Sequence, residues 1–166
     1  MGKKEFVTLV DENDNVIGKK DRDLLTDDDR WRVVSIWVTN PQGDILIAQR
    51  GLTKKLGAGL WSCAAEGTVE HPDSYEQTAN REIVEEVGVA ANLEPTHVGN
   101  FLWSFGKRAC MGFKGVIDLP IEAFKIPKDE VEAIQWIKPY KLWEEVETRP
   151  EKFISHFKSF KELFEL

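Results

Sequence analysis

The sequence predicts an α+β fold, a sandwich built on a mixed sheet with one helix inserted in mid-chain and helical structure at the end. Short runs rich in β-branched and aromatic residues recur between turn formers, as at residues 31–39. One segment, residues 74–87, has helical rather than strand periodicity. There is no G-x-G-x-x-G run and no regular strand–helix alternation, so a doubly wound parallel sheet is not expected.

In order, Phe6 to Val10 reads as a first strand, and a turn at residues 11–15 leads into a second around Val16 and Ile17. Asp27, Asp28 and Asp29 read as a solvated loop. Residues 31–39 and 45–48 form a hairpin signal around Asn40-Pro41-Gln42-Gly43. A loop with Gly51, Gly57 and Gly59 precedes extended pieces at 61–64 and 67–70. The helix follows, with Asp73 or Ser74 as its cap, Pro72 before it and Gly88 at its end. Strands are expected at 98–105 and 110–118, around a Gly106-Lys107 turn, and at 131–137. Phe153, Ile154, Phe157, Phe160, Leu163 and Phe164 predict an amphipathic helix over about 150–165.

At 166 residues the chain is long enough for one domain, expected to span 1–166, with a real core. With 31% charged and 42% hydrophobic residues it reads as an ordinary globular protein. No apolar run approaches the roughly 18 residues of a membrane span, and Met1 to Phe6 carries no secretory signal, so the expected location is cytoplasmic, without a membrane partner. Cys63 and Cys110 lack ligand spacing and read as reduced core thiols. A net charge of −7 argues against a nucleic acid polymer as partner. Homodimerisation stays open.

On the predicted helix Tyr75, Ala79, Ile83 and Val87 are spaced four apart and define the core-facing arc. Beside them Glu82, Glu85 and Glu86 share an arc of roughly 100°. Like charges at this spacing repel, and acids in the last turn oppose the helix dipole. A divalent cation would remove both penalties, and hard oxygen ligands suit Mg²⁺ or Mn²⁺. A solvated acidic face is the alternative reading of these three residues taken alone.

Their surroundings decide between the two. Gly67, Arg81, Glu82, Ile83, Glu85, Glu86, Gly88 and Val89 resemble the Nudix box, G-x5-E-x7-R-E-U-x-E-E-x-G-U with U apolar, keeping eight of nine constrained positions. Asp73 stands where the box has Glu. The resemblance extends from about Phe6 to Trp143, with the box at 67–89. It implies an α/β/α sandwich whose loop–helix–loop builds a metal site, and hydrolysis of a phosphoanhydride (diphosphate) bond in a nucleoside-diphosphate-linked or similar small molecule. By position it makes Glu82, Glu85 and Glu86 metal ligands, Glu85 and Glu86 catalytic, and Arg81 the residue that orients a carboxylate. The main-chain carbonyl of Glu66 is a further ligand by resemblance. Asp73 either binds metal through water or caps the helix, and Glu130 and Glu132 are candidates for an extra carboxylate.

Arg50, Lys54 and Lys55 are candidates for phosphate contact or are solvated loop charges. Trp31 and Trp103 are candidates for stacking on a substrate, while Trp37 and Trp136 read as core or sheet-surface residues. His71, His97 and His156 share no ligand spacing and read as surface or loop. The run from Trp61 to Gly67 and the N-terminal hairpin are similar to the branch that includes isopentenyl-diphosphate isomerase, the enzymatic rival. The isomerases place a catalytic Cys directly before the box glycine, where this chain has Glu66. Cys63 lies three residues earlier, an odd offset that points it to the other face if the segment is extended. The isomerases also use a metal-binding His before an Arg, and the matching pair here looks like Trp31-Arg32. A ligand sensor with an eroded box is the non-enzymatic alternative, against which the Arg81, Glu82, Glu85 and Glu86 set speaks.

Overall fold

A computed structural model describes residues 4–103 and 106–166. Within them nine strands form one mixed sheet with β3 (Arg30–Thr39) as its hub. Along one edge β3 runs parallel to β8 (Lys107–Val116), from Arg30 opposite Lys107 to Thr39 opposite Val116. Its antiparallel partners divide the other edge. They are β1 (Phe6–Val10) at Leu9–Trp31, β6 (Ala65–Thr68) from Val33–Thr68 to Ile36–Ala65, and β4 (Ile45–Arg50) at Val38–Leu46. β2 (Val16–Asp21) extends β1, and β7 (Leu93–Leu102) extends β8. β4 continues away from β3 to pair with β5 (Trp61–Ser62) and β9 (Val131–Ile137). The sheet therefore parts between β3 and β4, and that gap is where the box lies.

Alternation along β3 builds two cores. Trp31, Val33 and Trp37 pack with Phe153, Phe157, Phe160, Leu163 and Phe164 on one face. Val34, Ile36 and Val38 pack on the other with Tyr75, Ala79, Ile83 and Val87 of α1 (Tyr75–Val87), all of them buried. Helices thus cover both faces of the sheet, the expected α+β sandwich.

α1 begins at a capping box in which Ser74 accepts from the Gln77 N–H and Gln77 returns a bond to the Ser74 N–H. Ser74, not Asp73, is therefore the cap. Gly88 ends the helix in the left-handed region at φ 73°, and a Cβ there would lie 2.4 Å from the Lys125 carbonyl oxygen.

The C-terminal expectation needs correction. The segment over 150–165 is not one helix: 3-10 turns at Pro150–Lys152 and Phe157–Ser159 precede a short α3 (Phe160–Leu163). Between the turns the Ile154 N–H donates to the Trp61 carbonyl at 3.0 Å, and Phe153 bridges to Trp61 in parallel. The backbone is drawn into extended pairing there, while all six apolar side chains stay buried. A helix not foreseen, α2 (Pro139–Thr148), precedes this segment with Pro in its first turn and Leu142 and Val146 buried four apart. β7 starts at Leu93 rather than Val98, and the end expected at Phe105 lies outside the described residues. β8 starts at Lys107 rather than Cys110. Among the described residues no helix is long and apolar enough to cross a membrane.

Candidate active site

β6 and α1 bring the box together. Gly67 lies opposite Val34, on the face that α1 covers. A Cβ at Gly67 would stand 2.4 Å from both Cγ and Cδ of Glu82, so the Glu82 stem rests on bare backbone. Burial and the neighbouring Glu85 raise the Glu82 carboxyl to about 7, with Arg81 opposing and Glu130 adding to the rise. The Glu86 carboxyl is pushed well above the usual range by burial, then by Glu82 and Glu66, while Arg50 and Lys54 counteract. Glu85 is more than half exposed, at 58% of its side chain.

The Arg81 guanidinium donates to Asp73 Oδ2 at 2.6 Å and stands 3.9 Å from Glu82 and 4.0 Å from Glu85. It therefore grips the carboxylate that departs from the box pattern and sits beside the other two. Asp73 is engaged by Arg81 and does not cap the helix.

Where β4 leaves β3, Glu66, Glu86 and Glu130 line one small cleft with Arg50, Ser62 and Cys63. Lys54 Nζ donates to the Glu130 carboxylate, and Arg50 Nε donates to the Leu56 carbonyl at 3.1 Å. Lys55 is exposed. Glu132 does not line the cleft, and its carbonyl accepts from Lys128 Nζ at 2.6 Å. Of the two candidates on and before β9, the fold brings only Glu130 to the box.

The donor set suits a hard cation: carboxylates on a rigid helix, crowded by like charge and largely removed from water. Among the described residues no group of three His, Cys, Asp or Glu side chains is placed to hold an ion as it stands.

Glu66 points to the opposite face, its residue paired with Ser35 of β3. Its carboxylate accepts from Ser35 Oγ at 3.2 Å and from Ser62 Oγ, and lies 3.0 Å from His156 Nε2. Burial by itself would raise this carboxyl, but His156 and Ser62 outweigh it and hold it low. His156, read as surface or loop, does lie in a turn, but its side chain is not at the open surface. Instead its ring stacks on Trp103 at 3.7 Å between centroids and 9° between planes. A lone histidine in a turn gives no sequence signal for a partner 90 residues away.

Trp31 also needs correction as a stacking candidate. It is 4% exposed, and the Arg108 guanidinium lies 3.5 Å over its ring. Trp103 is half-buried against His156 and Phe101. Trp37 is a core residue stacked on Trp143 at 6.2 Å.

The alternation argument for Cys63 fails because the chain bends at residues 63 and 64 between β5 and β6. Cys63 consequently lines the same cleft as Glu66. Its thiol is buried, points to the Ala65 carbonyl at 3.3 Å, and is pushed up by burial and by Glu66.

The fold agrees with that of known proteins. Among solved structures, a Deinococcus radiodurans protein superposes with a TM-score of 0.76 over 92% of this chain and 94% of its own, at 21% identity. The NUDIX domain of Shewanella oneidensis NrtR, solved with ADP ribose, superposes at 0.61 over 88% and 92%, at 16% identity. At these identities the likeness establishes the fold. By sequence, an uncharacterised Nudix hydrolase of Pseudomonas aeruginosa is 29% identical over 88% of this chain and 86% of its own. The isopentenyl-diphosphate Delta-isomerase of Corynebacterium diphtheriae is 28% identical over 92% and 89%. The family profile described as NUDIX domain matches residues 29–161, which contain the whole Gly67-to-Val89 box and the strands that carry it, and on that match the chain belongs to the Nudix hydrolase family.

Proposed function

We propose that the chain is a divalent-metal-dependent hydrolase that splits a phosphoanhydride bond in a small molecule such as a nucleoside-diphosphate derivative. The observation that carries the reading is the crowding of Glu86 with Glu130 in one cleft and with Glu82 on α1, with burial and mutual repulsion raising the carboxyls of Glu82 and Glu86. Carboxylates crowded in this way suit a cation more than they suit the empty fold.

When bound, Mg²⁺ or Mn²⁺ supplies positive charge against the phosphate oxygens and acidifies water in the site. Glu82 and Glu86 would hold it, with Glu85, Glu130 and the Glu66 carbonyl within the same region. Arg81, anchored on Asp73, fixes the orientation of the Glu82 and Glu85 side chains. Arg50, in the same cleft, and Lys54, beside Glu130, offset the charge of a diphosphate. Water adds to one phosphorus as its bond to the bridging oxygen breaks, and a carboxylate, Glu85 or Glu86, takes the proton that water releases. ADP-ribose belongs in the first assay because a protein of this fold was solved with it.

Isomerisation of an isoprenoid diphosphate is the second reading, favoured by the 28% identical isomerases. Glu66, in place of a cysteine before Gly67, and the buried, raised thiol of Cys63 count against it. Incubation with ADP-ribose, nucleoside triphosphates, a dinucleotide and isopentenyl diphosphate, with Mg²⁺ or with EDTA, tests both readings. Metal-dependent release of phosphate products is expected. Isomerised isopentenyl diphosphate without phosphate release would replace the hydrolase reading.

A further inference from the structure

β8 carries a buried cation that, among the described residues, has no acid within ion-pair distance. Arg108 sits opposite Trp31 in the parallel pairing of β8 with β3, facing inward like Cys110, and is 8% exposed. Its guanidinium lies 3.5 Å over Trp31 and 5.7 Å from the Trp103 ring. Among the described residues its one hydrogen bond goes to the Lys107 carbonyl at 3.3 Å, and it makes no ion pair. A guanidinium offers five N–H donors, and stacking on an indole offsets only part of the loss of water. Glu66, on the same face, is already committed to Ser35, Ser62 and His156.

A second donor nearby is also unsatisfied: among the described residues the buried Trp103 Nε1 finds no hydrogen-bond partner. Gly106 packs against the pair of Arg108 and Trp31. At Gly106, φ +70°, a Cβ would lie 2.8 Å from the Trp31 ring and 3.1 Å from Arg108 Nη1. Each ring meanwhile carries a stacking partner, Arg108 on Trp31 and His156 on Trp103. What remains unfilled is hydrogen-bond donation from a cation and an indole. The chemistry that satisfies both is an oxyanion.

We propose that the Arg108 guanidinium and the Trp103 indole N–H form an oxyanion subsite for a phosphate or carboxylate group of the substrate, remote from the α1 carboxylates. One cleft is lined both by Glu66, whose side chain is on this face, and by Glu86 of α1. The subsite would favour diphosphates that carry a second anionic group. Its assignment to the substrate rests on the hydrolase reading; its affinity for an anion does not.

Calorimetric titration with inorganic phosphate in EDTA tests it directly. Arg108→Gln should weaken phosphate binding about tenfold or more, and Trp103→Phe about fivefold. Arg108→Gln should also melt no lower than the wild type without phosphate, because an unpaired buried charge has been removed. Equal phosphate affinity in wild type and Arg108→Gln, or a lower melting temperature with unchanged affinity, would make Arg108 a purely structural stack. Should Arg108→Gln not fold, unchanged affinity in Trp103→Phe overturns the subsite by itself. In Mg²⁺ kinetics a KM raised about tenfold with kcat within about twofold assigns the anion to the substrate. An unchanged KM alongside weakened phosphate binding assigns it to free phosphate. Loss of hydrolysis in every assay would leave the phosphate titration standing, so the two failures are distinguishable.

Discussion

Gly67 and Glu82 share one space: the Glu82 stem occupies the position a Cβ on Gly67 would take, 2.4 Å away. The first glycine of the box is thus required by a side chain 15 residues later and one layer above it. Gly67→Ala should displace Glu82 toward water and lower hydrolysis by about 10² or more. The stability loss should stay within about 1–3 kcal/mol, as for a modest overpacking. Activity and a thermal melt measured on the same preparation check this, and wild-type turnover would show that Glu82 has no fixed place in the reaction.

Glu85→Gln and Glu86→Gln keep shape and remove charge. Each should cut kcat by about 10² or more with the fold intact. The Glu86 variant should also gain less melting temperature from millimolar Mg²⁺ at fixed ionic strength, since ligand linkage follows affinity for the folded state. Equal Mg²⁺ shifts in wild type and variant would place the metal elsewhere.

Glu130 and Glu132 should behave differently. Glu130 lines the cleft with Glu86 and takes the Lys54 ammonium, whereas Glu132 does not reach it. Glu130→Gln is expected to lower the rate by about tenfold or more, with Glu132→Gln within about twofold of wild type. A larger effect at Glu132 in steady-state kinetics would reverse the assignment.

The pH dependence of the metal-free fold follows from Glu82. Its carboxyl is raised from 4.5 to about 7, so between these values the folded chain holds a proton that the unfolded chain releases. Stability contributed by the neutral form is full below the unfolded value and is lost as pH rises through about 7, on the order of 3 kcal/mol for this group. Melts in EDTA at about pH 5 and about pH 8 should show the loss in wild type and a flatter response in Glu82→Gln. Parallel responses would remove Glu82 as its source.

The sequence by itself determined the local half of this protein. Helical spacing set Tyr75, Ala79, Ile83 and Val87 into the core and Glu82, Glu85 and Glu86 onto one arc, because side-chain direction on a helix follows from spacing alone. Eight of nine box positions pointed to the family for a similar reason, lying at fixed spacing within one segment, 67–89. Only the tertiary structure decided what stands opposite them. Glu66 meets His156 across 90 residues, and Arg108 meets Trp31 only because β8 begins at Lys107 and runs parallel to β3. Phe153 and Ile154, read as helical, are extended because Trp61 offers them a backbone partner. Which sheet face a side chain takes, and which strand lies beside it, depends on pairing between distant segments, and no window of local sequence carries that energy.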